Sequence, residues 1–152
     1  MASADIRHPA LTDERTGLPN RLQFDTVYRF LFAGADRGVP LALLMVQMDI
    51  RDEEAFRRAA DRLGSSTRSS DLLAHLGDGH FVTLLLGCNL HGARLVADRV
   101  AGLLAEVLDV PFAVGLAAYQ DEMTDPSELM DAVVGATSDA RAAGGGTEIG
   151  VA

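Results

Sequence analysis

The stretch HLGDGHFVTLL, residues 75–85, gathers the side chains of this chain that are best suited to chemistry. Gly77, Asp78 and Gly79 are flanked by His75 and His80, and an apolar run begins at Phe81. Three kinds of chemistry suit such residues. Glycines that bring backbone amides close together can cradle a phosphate. Two imidazoles and a carboxylate can form a corner for a metal. An Asp-Gly between two apolar runs can also simply reverse the chain, since both residues tolerate positive φ. The histidines lack the spacing of a metal site, so they are expected as polar surface. The reading adopted is a tight hairpin turn with both central residues at positive φ.

A domain has to hold that turn. The chain of 152 residues, 48% of them hydrophobic, suits one globular domain. At this length roughly 70% of the unfolded surface can be buried without help from disulfides or metal. Cys88 is the one cysteine, which excludes an internal disulfide framework and fits a reducing compartment. No apolar run approaches the roughly 20 residues needed to span a bilayer, and no signal-peptide core is evident. A cytoplasmic protein is expected. The net charge is −9, and all 13 basic residues are arginines. Such an acidic chain is a poor general nucleic-acid binder, so any anionic ligand needs a local arginine cluster.

Residues 1–10 read as an N-terminal tail, with His8-Pro9 interrupting regular structure, and 11–152 as the domain. TGLPN, 16–20, is turn chemistry, with Asn20 able to cap the next helix. Phe24, Val27, Tyr28 and Leu31 recur at helical spacing, and the helix ends near Gly38. LALLMVQM, 41–48, is a continuous apolar run, as for a central strand covered on both faces. DEEAFRRAADRL carries acids in its first turn and Phe56, Ala59, Ala60 and Leu63 on one helical face. Two short strands, LLAHL and FVTLLL, flank the turn. A helix over 90–108 places Val96, Val100, Leu103 and Val107 inward. FAVGLAAY, 112–119, is a strand. A helix from Pro126 places Leu129, Met130, Val133, Val134 and Ala140 inward and ends at glycines 144–146. EIGV, 148–151, closes the order as a short strand. The sequence predicts an α/β (α+β) domain with a mixed central sheet flanked by helices.

That order, with these words in these places, resembles the GGDEF family, the diguanylate cyclase domains. The resemblance runs from about Leu11 to Val151. LTDERTGLPNRLQF is similar to the family's opening LTGLPNR..F, with a small insertion, and LALLMVQMD to the strand that usually ends in DxD. LGDGHFVTLL falls where GGDEFxxLL belongs, so Gly77, Asp78, Gly79, His80 and Phe81 take the five signature places. FAVGLAAY resembles the SxGxA strand, and ELMDAVVGATSDARAAGGG the final helix. Members join two GTP molecules into cyclic di-GMP, with divalent metal held by carboxylates.

The resemblance also marks what is missing. The first DxD place, a metal ligand in the family, holds Gln47, a poor ligand for a hard cation. The third signature place holds Gly79 and the fourth, the catalytic acid's, holds His80. Asp49 remains, on the same strand face as Gln47. Only 29 residues separate Gln47 from Gly77, so the interval is shortened and the family's guanine-reading FKxxND..GH..GD segment is absent. Arg141 takes the place of a phosphate-contacting lysine and is expected either to meet an anion or to be an exposed helix-end charge. The implication is a degenerate domain without catalysis, metal or cofactor.

One family feature is kept. RSSD places Arg68 and Asp71 five residues ahead of the signature, as in the RxxD motif of the family's product-binding site, and Arg99 falls where that site's helix arginine lies. Guanidinium groups grip phosphate and the guanine edge bidentately, and a carboxylate accepts from guanine N–H groups. The reading is therefore an inactive GGDEF-like domain that binds cyclic di-GMP through Arg68, Asp71 and Arg99 and signals to a protein partner or in a homodimer. The alternative is a ligand-independent interaction or dimerisation domain derived from a diguanylate cyclase, with Arg68 and Asp71 only bracing a loop. Nucleic acid and membrane are not expected partners. Tyr28 and Phe32 are candidates for a packing surface.

Overall fold

The computed structural model describes residues 8–150. Five strands form one sheet in the order β2-β3-β1-β4-β5. They are β1 (Leu41–Met48), β2 (Asp71–Gly77), β3 (His80–Leu86), β4 (Phe112–Ala118) and β5 (Gly146–Ile149). The helices are α1 (Arg21–Ala35), α2 (Glu53–Ser65), α3 (Leu90–Val107) and α4 (Pro126–Ala142). β1 pairs antiparallel with β3 and β4, β2 antiparallel with β3, and β5 parallel with β4, so the sheet is mixed as expected.

β1 is central because all eight of its residues are buried. Its alternation splits the core in two. Ala42, Leu44, Val46 and Met48 pack with α2 and α3, while Leu41, Leu43 and Met45 pack with α1 and α4. The inward face of α2 is the expected one, Phe56, Ala59, Ala60 and Leu63. On α3 the buried face is Ala93, Ala97, Val100 and Leu104, and the expected Val96, Leu103 and Val107 are only half-buried. Small side chains let that helix lie close on the sheet, and the bulkier residues flank the seam. On α1 the buried set is Phe24, Tyr28, Phe32 and Ala35. Tyr28 and Phe32 are thus core residues, not a docking surface, and Phe32 meets Tyr119 edge-on. On α4 Val134 is 46% exposed rather than inward.

Two local expectations need correction. Residues 9–11 form a short 3-10 turn, with the His8 side chain accepting from the Ala10 amide, so regular structure starts before residue 11. Asn20 anchors it: its Oδ1 accepts from the Gln23 amide at the start of α1 and its Nδ2 donates to the Ala10 carbonyl. Asn20→Ala is expected to lower stability by about 1–2 kcal/mol, a drop of a few degrees in a melting curve. The last strand occupies Gly146–Ile149 rather than 148–151, and Val151 lies outside the described residues.

The hairpin is present, with Asp78 and Gly79 between Gly77 and His80, but it is not the symmetric turn expected. Asp78 has φ +46°, whereas Gly79 is not at positive φ; the second positive value is at Gly77, φ +112°. A bulge between His75 and Gly77 shifts the register there.

Candidate functional site

Gln47 and His80 stand opposite each other where β1 pairs with β3. Both line a cavity of about 460 Å³ on the α1–α4 side of the sheet, with Arg21, Asp78, Val134 and Arg141 around them. Gln47 is buried, and its Nε2 donates to Asp49 Oδ1 at 2.9 Å. Asp49 Oδ2 accepts from the Arg141 guanidinium at 2.9 Å. Arg141 is therefore paired, though both partners are largely exposed. A pair of that kind contributes about 1 kcal/mol or less, so another anion can displace Asp49.

No side chain fits at position 79. A Cβ there would overlap the Met48 carbonyl oxygen, and the Gly79 carbonyl accepts from the Met48 amide at 3.0 Å. These residues do not fit a divalent cation. Gln47 offers only a neutral amide, its Nε2 turned to Asp49, Asp49 is paired with Arg141, and position 79 offers no side-chain oxygen. Among the described residues no group of three His, Cys, Asp or Glu side chains is placed to hold a metal ion.

His75 and His80 part company. His75 lies on the opposite face of the sheet, packed against Phe56 and Phe81, and is 4% exposed. It is not the polar surface residue expected. Its ring bridges Asp13 Oδ2 at 2.9 Å and the Asp78 carbonyl at 2.7 Å. Neither Asp13 nor this bridge is evident in the sequence, because the two residues are 62 positions apart.

Arg68 and Asp71 meet at the start of β2. The Asp71 carboxylate accepts from the Arg68 amide at 3.1 Å and from its Nε and a terminal nitrogen at 3.2 and 3.1 Å. The Asp71 side chain is 1% exposed and Arg68 48%. Asp71, and then Cys88, whose Sγ lies 3.2 Å from an Arg68 nitrogen, hold the guanidinium more firmly protonated than usual. Arg99, from α3, makes no hydrogen bond or ion pair with either residue of that pair among the described residues. It donates to the Ser66 carbonyl at 3.0 Å, two residues before Arg68. Both guanidinium groups thus attend one loop. Cys88 joins Arg68 from 20 positions along the chain, too far for any local pattern to include it.

A family model described as the diguanylate cyclase GGDEF domain matches residues 10–147. The chain belongs to the GGDEF family. Relatives include the uncharacterised protein y4lL of Sinorhizobium fredii, 29% identical over 97% of this chain and 20% of that protein. The response regulator PleD of Caulobacter vibrioides is 27% identical over 94% of this chain and 36% of that protein. The GGDEF domain thus spans between 20% and 36% of the length of these curated relatives. In structure it is similar to the GGDEF domain of DgcB from Caulobacter crescentus, solved in complex with c-di-GMP. That match has a TM-score of 0.84 at 15% identity and covers 95% of this chain and 98% of that one. At that identity the likeness is one of fold. No helix among the described residues is long and apolar enough to cross a membrane.

Proposed function

We propose that this GGDEF domain makes no cyclic di-GMP and instead binds it at Arg68, Asp71 and Arg99, passing the signal to a protein partner or a second copy in the cytoplasm. The observation that carries the reading is the loop before β2. Asp71 fixes the guanidinium of Arg68 at the surface, and Arg99 reaches the same loop from α3. Two arginines so held suit the two phosphates of a cyclic dinucleotide, for a bidentate guanidinium–phosphate contact needs its donors placed in advance. The absence of synthesis rests on the hairpin cleft, where Gln47, Gly79 and the Asp49–Arg141 pair supply no metal seat.

Two measurements test it. Incubation with GTP and magnesium or manganese is expected to give no product above a protein-free blank, and turnover would refute the inactive reading. Calorimetric titration with cyclic di-GMP is expected to show binding that weakens with salt, because an acidic domain does not collect a dianion diffusely. One observation favours the second reading, a ligand-independent interaction domain. Asp71 is already satisfied by three bonds from Arg68, which is what a loop brace does. Absence of heat at high protein concentration, with self-association in its place, would decide for that reading.

A further inference from the structure

His75 faces an acceptor on each ring nitrogen. Asp78 contributes a backbone carbonyl, which can only accept, so Nε2 must carry a proton. Asp13 Oδ2 also accepts from the amide and hydroxyl of Thr16, at 2.9 and 2.7 Å. Burial works to raise the Asp13 carboxyl, but the Thr16 and His75 hydrogen bonds outweigh it and hold it below the usual carboxylate range. An ionised Asp13 can only accept, so Nδ1 must carry a proton as well. A neutral ring has one N–H and would turn a lone pair on one of these oxygens at under 3 Å.

We propose that His75 acts as a proton-dependent strap: as an imidazolium it ties the loop of residues 12–20 to the signature hairpin, and on losing a proton it lets that loop go. The surroundings allow little else to compensate. From α2 the ring meets Phe56 and from β3 Phe81, both apolar. The charged groups close by are Arg15, whose guanidinium lies 3.5 Å over the Phe56 ring, and Glu53, which pairs with Arg15. Arg15 is thereby already balanced. The same loop ends at Asn20, the cap of α1, and leads directly to Arg21 in the cavity wall, while the turn contributes Asp78 to it. Opening the strap thus loosens two walls of the cleft together. This holds whether or not the domain binds cyclic di-GMP.

The test is hydrogen exchange with ring-nitrogen NMR on the protein at pH 5.5 and 8.5. At the lower pH His75 is expected to show two N–H groups. On raising the pH, the amides of His75 and Asn20, bonded to the Pro19 and Leu11 carbonyls, are expected to lose protection at least about tenfold, while β1 amides keep theirs. The sign identifies the group, since release driven by Asp13 would occur on lowering the pH. In His75→Arg, a permanent cation with several donors, the response is expected to vanish. Should that variant not fold, His75→Gln serves, because a side-chain amide has no proton to lose between these pH values and the response should vanish there too. A single N–H at pH 5.5 with the loop protected would overturn the proposal. So would an unchanged pH response in His75→Gln.

Discussion

Gly79→Asp is expected to lower the stability of the domain by about 3 kcal/mol and to create no metal site. The substitution writes the family's own letter into the signature, so a reading by letters alone predicts a step towards activity. The fold says otherwise. Residue 79 has no room for a Cβ beside the Met48 carbonyl, and its own carbonyl takes the Met48 amide as the last bond between the hairpin and β1. Making space means parting the hairpin from β1 where Gln47 faces His80. Denaturant unfolding of Gly79→Asp and Gly79→Ala is the measurement. The two should fall together, because the first side-chain carbon, not the carboxylate, is at fault. If Gly79→Asp matches the parent and binds manganese, the close approach at Met48 does not hold. Adding His80→Glu should still give no turnover, since Gln47 and the Asp49–Arg141 pair remain.

That contrast marks where the sequence is legible. β1 is readable because a run with seven apolar residues among its eight can only be covered on both faces, and α2 because Phe56, Ala59, Ala60 and Leu63 are the sole apolar stripe on a charged helix. α3 misleads by a fraction of a turn. Reading by size selects Val96, Leu103 and Val107, yet the seam against the sheet goes to Ala93 and Ala97, which allow closer approach. Val134 sits on a plausible inward stripe and lines the cleft instead, since its position depends on where α4 crosses the sheet. The Arg68–Asp71 pair is local, three residues apart, so its spacing alone could suggest it. The His75–Asp13 bridge and the Gly79–Met48 approach are not local. They depend on strand register and on the course of the loop before α1, which composition and periodicity do not carry.

Arg68→Ala is expected to weaken cyclic di-GMP binding by roughly 10- to 150-fold, the loss of one charge-assisted contact worth on the order of 1.5–3 kcal/mol. The structure shows why this variant needs a companion. Arg68 also gives its guanidinium and its amide to Asp71, whose side chain is 1% exposed. Truncation leaves that carboxylate with the backbone amide alone, and a buried charge missing its partner disturbs its surroundings. Lost affinity then has two causes, a missing contact or a displaced loop. Asp71→Ala shares the difficulty, because it frees the arginine it was holding; it should weaken phosphate contact as well as guanine recognition. Arg99→Ala separates the causes. Among the described residues its one side-chain hydrogen bond is to the Ser66 carbonyl, and Arg99 itself is exposed, so the Arg68–Asp71 pair survives the change. Calorimetry on Arg99→Ala should therefore show a drop of the same order with an unchanged melting curve. Equal affinity in parent, Arg68→Ala and Arg99→Ala would remove the dinucleotide site and leave the pair as a brace.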